Sequence, residues 1–142
     1  MEIRELTESD YYRKYLSLLA ELTLCDNVSA SDFSVRLKKI KSNPLHKIYV
    51  MEDNKQIIAT ITVLIEPKFI RGLNSVAHIE DFVVAKSHRK LGLGKKLLDH
   101  AISYAHEHNC YKVILNCSKD MLEFYQKKGF TAENYEMSYR FI

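Results

Sequence analysis

The sequence predicts an α/β domain on a mixed central sheet flanked by helices, antiparallel in its first half and closed by a helical crossover in its second. Three observations carry that prediction. Two β-rich runs, 46–52 and 56–66, flank the turn Asp53-Asn54-Lys55 and read as a hairpin. A third apolar run, 76–84, leads through two glycines into an amphipathic helix, and a further strand begins at Tyr111. Strand, helix and strand in that succession make a parallel crossover. The 142 residues, 46% hydrophobic and 27% charged, suit one core, so a single domain over 1–142 is expected.

The remaining elements follow in order. Residues 2–6 form a short strand, and a helix covers 9–24 with Thr7 or Ser9 as its cap. A second helix covers 31–40, capped by Ser29 or Ser31 and stopped before Asn43-Pro44. After the hairpin come a loop at 67–72 and the strand 75–85. The next helix runs to His108, where Asn109 suits its end. Residues 111–117 form a strand, 119–128 a short helix ended by Gly129, and 135–141 a last strand.

Composition removes several functions. A net charge of +3 is too small to imply nucleic acid, and Lys38-Lys39-Ile40-Lys41 reads as one solvated helix face. No apolar run reaches the roughly 18–20 residues of a membrane span. The charged start Met1-Glu2-Ile3-Arg4 suits neither a signal nor a transit peptide. Cys25, Cys110 and Cys117 lack C-x-x-C spacing and read as reduced thiols of a cytoplasmic protein. His106 and His108 lie on different helix faces, so no metal site is expected.

One stretch carries chemistry. Arg89-Lys90-Leu91-Gly92-Leu93-Gly94 reads R-x-x-G-x-G between a strand and a helix. Glycines there let backbone N–H groups approach a ligand, and the helix start adds partial positive charge, so the junction suits a pyrophosphate. G-x-x-x-x-G-K-[ST] and G-x-G-x-x-G are both absent. A plain strand-to-helix turn is the other reading.

The pattern resembles the pyrophosphate loop of the GNAT acyltransferases, and the element order is similar to the GNAT fold from end to end. Within that superfamily, His78-Ile79-Glu80-Asp81-Phe82-Val83-Val84, Cys110-Tyr111-Lys112 and Phe124-Tyr125-Gln126-Lys127-Lys128-Gly129-Phe130 resemble the glucosamine-6-phosphate N-acetyltransferases. Leu22-Thr23 and Lys68-Phe69-Ile70-Arg71-Gly72 are weaker matches. The resemblance implies acetyl transfer from acetyl-CoA, a co-substrate rather than a tightly bound cofactor, to D-glucosamine 6-phosphate, a step toward UDP-N-acetylglucosamine. It also implies a homodimer with the active site at its interface. Another amine acceptor, or a non-catalytic acyl-CoA binding module, would share the same loop.

Residue roles follow from that resemblance. The N–H groups of Arg89, Lys90, Leu91, Gly92, Leu93 and Gly94 would hold the pyrophosphate. Backbone groups of Phe82, Val83 and Val84 would pair with the pantetheine arm and polarise the thioester. Tyr125 would protonate the leaving thiolate, since a phenol near pKa ~10 stays protonated beside a thiol near ~8.5. Its alternative is a core aromatic.

Glu80 and Asp81 would hold the sugar and help deprotonate its amine. Adjacent strand residues point to opposite faces, so both reach one pocket only if a bulge distorts the strand. One structural acid paired with a lysine is the alternative. Lys68, Phe69, Ile70 and Arg71 in the loop, Thr23 and Asn116 would contact the sugar phosphate, and Arg140 would reach it from the neighbouring subunit. Asn116 stands where the family leads one to expect a carboxylate.

Overall fold

Five strands form one sheet in the order β1-β2-β3-β4-β5 in the computed structural model, which describes residues 1–25 and 27–142. They are β1 (Ile3–Glu5), β2 (His46–Asp53), β3 (Gln56–Pro67), β4 (Ser75–Val84) and β5 (Cys110–Ile114). The first three pairings are antiparallel and β4–β5 is parallel. The hairpin closes as expected, with Asp53 opposite Gln56 across the left-handed Asn54 and Lys55. β3 is buried at every residue from 57 to 63, the mark of a strand covered on both faces.

The crossover helix α4 (Leu93–Glu107) covers β3, β4 and β5 through Leu93, Leu97, Leu98, Ala101 and Ala105. Those residues recur at three- and four-residue spacing, so one stripe is buried and the opposite face is polar. α2 (Ala30–Lys41) starts as predicted, with the Ser29 hydroxyl accepting from the Asp32 N–H at 3.0 Å. The short helix after β5 splits into a 3-10 turn, Lys119–Met121, and α5 (Leu122–Lys127), stopped by Gly129 at φ 95°.

The predicted helix over 9–24 is broken. Glu8–Arg13 is a 3-10 turn, Lys14 is left-handed at φ 63°, and only α1 (Tyr15–Leu19) is α-helical. Apolar spacing fits one long helix, but it cannot register a single backbone reversal. The reversal accompanies a tertiary bond, because the Asp10 side chain is taken up by Arg4 and by the Thr7 N–H.

The predicted last strand is absent. Residues 131–142 are exposed without regular structure, with Tyr135, Tyr139 and Phe141 each at least 87% exposed. A strand needs a ladder partner, and the tail finds none among the described residues. β5 is also shorter than predicted, ending at Ile114 instead of 117. The loop at 67–72 contains the four-residue segment α3 (Ile70–Leu73), whose Arg71, Gly72 and Leu73 are all left-handed.

Candidate active site

The expected bulge is present. Thr60 pairs with Val83 and Thr62 with Glu80, so Asp81 and Phe82 together face only Ile61. Asp81 lies at φ 45°, which breaks the alternation of the strand. Glu80 and Asp81 are consequently both exposed, while Ile79 and Val83 on either side are buried. Neither carboxylate has a hydrogen-bonding or ion-pair partner among the described residues. The pairing with a lysine that a structural acid would need is not made.

β4 also presents a free backbone edge here. Its pairing with β5 stops at His78 opposite Ile114, whereas its pairing with β3 continues to Val84. From Ile79 to Val84 the side facing β5 has no strand partner among the described residues. Those N–H and C=O groups, apart from the Val84 carbonyl taken by Arg89 Nε, can accept an extended ligand as a further strand.

The loop 89–94 lies where β4 ends. Lys90 (φ 68°) and Gly92 (φ 77°) are left-handed, a backbone form that turns N–H groups toward a common side and suits anions. Lys96 N–H is bonded to the Gly92 carbonyl at 3.1 Å, so the N–H groups of Leu93, Gly94 and Lys95 precede the helical ladder. A Cβ on Gly94 would stand 3.5 Å from Phe82, 3.6 Å from Val84 and 3.8 Å from Phe124. A Cβ there would make only ordinary van der Waals contacts, which place the start of α4 beside β4 and α5. Arg89 turns back, its Nε donating to the Val84 carbonyl at 3.1 Å.

Tyr125 stands beside Phe124 on α5, with ring centroids 5.0 Å apart, and is 9% exposed. Burial pushes its phenol up to about 12, with the neighbouring Cys117 adding to the effect. The hydroxyl is thus firmly protonated near neutral pH.

The basic residues divide. Lys68 is engaged by Glu66 at 3.3 Å, and the same carboxylate meets His78 Nε2 at 3.0 Å. Arg71 lies over the Tyr111 ring at 5.6 Å from its centroid, and Lys112 over the same ring at 5.7 Å. Tyr111 and Lys112 thus stand beside Arg71, a proximity that no local pattern in the chain signals. Phe69 and Ile70 are exposed beside them. Thr23 is exposed just after α1, its N–H bonded to Leu19 O at 3.1 Å, and Asn116 is exposed after β5.

Comparison with known proteins agrees with this geometry. Residues 2–130 match the family model described as "Acetyltransferase (GNAT) family". The chain belongs to the GNAT acetyltransferases. Among GNAT relatives, one from Arabidopsis thaliana named glucosamine 6-phosphate N-acetyltransferase is 37% identical, covering 96% of this chain and 94% of that one. A Candida albicans relative of the same name is 36% identical over 97% of this chain and 94% of its own. The crystal structure of the Arabidopsis thaliana enzyme superposes with a TM-score of 0.96 at 37% identity, covering 99% of this chain and 98% of that one. A five-stranded mixed sheet with flanking helices is therefore the GNAT architecture, and acetyl-CoA is the family's co-substrate. No helix among the described residues is long and apolar enough to cross a membrane.

In GNAT terms the expected residues fall into two groups. Phe82, Val83, Val84, the loop 89–94 and α5 converge at one end of β4, with Glu80 and Asp81 next to them. Lys68, Arg71, Tyr111 and Lys112 gather near the start of β4, where Ser75 pairs with Cys110 and Val76 with Lys112. Arg140 lies on the exposed tail, apart from either regular element.

Proposed function

We propose that the protein transfers the acetyl group of acetyl-CoA to the amine of D-glucosamine 6-phosphate. The observation that carries this reading is the pair of unpartnered carboxylates on the β4 bulge, beside a free strand edge and a glycine loop. Two exposed acids inside a strand have no folding role to fill, and they stand where an acceptor amine would meet a thioester bound along that edge. The names of the relatives supply the acceptor's identity.

The chemistry balances on these groups. Glu80 or Asp81, directly or through a water, takes a proton from the acceptor ammonium. The neutral amine adds to the thioester carbon, and N–H groups of the β4 edge stabilise the oxyanion. As the C–S bond breaks, Tyr125 gives its proton to the thiolate, so CoA leaves as the thiol, and the second proton of the former ammonium, shed from nitrogen as the amide forms, returns through water to the Tyr125 phenolate.

We further propose that the site is shared between two copies of the chain. Arg71 and Lys112 sit beside Tyr111, four to five residues along β4 from Glu80, roughly 13–17 Å at the rise of a strand. Extended basic side chains and the sugar itself narrow that gap, so Lys68 and Arg71 remain candidates for the phosphate, and Arg140 would add a further cation from a second copy. The exposed tail favours a second copy, because Tyr135, Met137, Tyr139 and Phe141 alternate as one apolar strand face and Arg140 lies between them. The test is thiol release from acetyl-CoA across an amine panel: glucosamine 6-phosphate, glucosamine, spermidine and a lysine peptide. Strong preference for the phosphorylated sugar is expected, and equal rates with glucosamine would remove the sugar-phosphate reading.

A further inference from the structure

Between β4 and the nucleotide loop lies a 3-10 turn, Lys86–His88, held by two side chains from elsewhere in the fold. Glu21, just after α1, accepts a hydrogen bond from the Lys86 N–H at 2.9 Å. Asp53, at the β2–β3 turn, meets His88 Nε2 at 3.1 Å, and the Ser87 hydroxyl meets His88 Nδ1 at 2.8 Å. An ionised carboxylate only accepts, so in the neutral ring Nε2 carries the proton and Nδ1 accepts from Ser87. The ring's two nitrogens are then both committed, and its orientation is fixed. Serine, histidine and aspartate also build nucleophilic triads. Here the serine is the histidine's neighbour in the chain and bonds within the same turn, so the relay orients the ring.

We propose that His88, through Asp53, and Glu21 are positioning residues for acetyl-CoA, anchoring the entry of the loop 89–94 so that its N–H groups are arranged before the ligand arrives. The loop needs such anchors. Two left-handed residues leave it few bonds of its own, and Arg89 reaches only the adjacent Val84 carbonyl. Ordering a loop on binding costs affinity, and anchoring it beforehand removes that cost. The two anchors differ in origin. Asp53 ties the loop to the hairpin, while Glu21 ties it to the segment carrying Thr23, two residues on. Through Glu21 the acyl-donor loop and a candidate acceptor contact share one rigid link.

This inference rests on the assignment of loop 89–94 to acetyl-CoA. The test measures acetyl-CoA KM, kcat and melting temperature for His88→Phe, Asp53→Ala and Glu21→Ala, with His88→Gln and Glu21→Gln as conservative variants. His88→Phe and Glu21→Ala should each raise acetyl-CoA KM roughly three- to tenfold, the scale of one or two lost hydrogen bonds, with kcat within about twofold. The Gln variants keep a donor to Asp53 and an acceptor for Lys86 N–H, so their KM should stay near wild type. His88→Phe combined with Asp53→Ala should be no worse than either alone. A lower melting temperature with unchanged KM, or Gln variants as impaired as the Phe and Ala ones, overturns the proposal. Arg89→Ala and Gly92→Val separate the two failures. If these also leave acetyl-CoA KM unchanged, the loop assignment is wrong; if only they raise it, the anchors alone are wrong.

Discussion

Arg4 and Asp10 form a two-pronged ion pair, with both N···O distances 2.8 Å and the Asp10 side chain fully buried. Arg4 also reaches Glu52 at 2.7 Å, and Arg13 meets the same carboxylate at 2.8 Å. The network joins β1, the first 3-10 turn and β2, and so sets where α1 begins. Burial alone would push the Asp10 carboxyl up, but the Arg4 guanidinium and the Thr7 N–H outweigh it and hold it below the usual range.

Removing Asp10 should therefore be costly. Asp10→Ala removes the buried partner of Arg4, with Glu52 still meeting both arginines, and breaking a buried pair costs about 3–5 kcal/mol. Urea denaturation at neutral pH measures this. The depressed carboxyl adds stability that is present above its ordinary pKa and lost as pH falls through the folded value. Wild type should lose stability in that acid window, and Asp10→Asn should show a flatter profile there.

Alkaline stability should fall between about pH 10 and 12. Burial pushes the Tyr15 and Tyr49 phenols up to about 12, as it does Tyr125. A raised folded value means the native state keeps protons that the unfolded chain has begun to lose near pH ~10. The stabilisation is complete below that pH and disappears as pH rises through 12. Absorbance at 295 nm should show these three of the nine tyrosines ionising late, together with unfolding.

Tyr125→Phe keeps the buried ring and removes only the proton donor. A fall in kcat of about 10²-fold with little change in either KM is expected, the scale of general acid catalysis. A kcat within twofold of wild type would return Tyr125 to a packing role against Phe124 and Phe130.

Arg140→Ala should raise the KM for glucosamine 6-phosphate roughly 10–150-fold while sparing acetyl-CoA, as for loss of a charged hydrogen-bond donor. Mixing Arg140→Ala with Tyr125→Phe subunits tests the shared site, since each mixed dimer would hold one doubly altered and one intact site. Activity should partly return once subunits exchange. Demonstrated exchange without recovery would confine Arg140 to its own chain.

The sequence by itself determined the order of strands, the hairpin at Asp53–Gln56, the capped α2 and the amphipathic α4, because each follows from neighbours in the chain. It also marked Arg89–Gly94 and the Glu80–Asp81 pair, since glycines at a strand-to-helix junction and adjacent acids in an apolar strand are visible locally. Only the tertiary structure decided the rest. The bulge that exposes both acids arises from the register of β4 against β3, and the free edge beside it from the point where β5 leaves the sheet. Both are relations between segments distant in the chain, on which local periodicity is silent. The same reason explains the broken first helix, where Arg4 captures Asp10, and the anchors Glu21 and His88, whose partners lie 65 and 35 residues away. The tail shows the converse. Its alternation at 135–141 signals a strand, but a strand forms only against a partner, and none stands among the described residues of the chain.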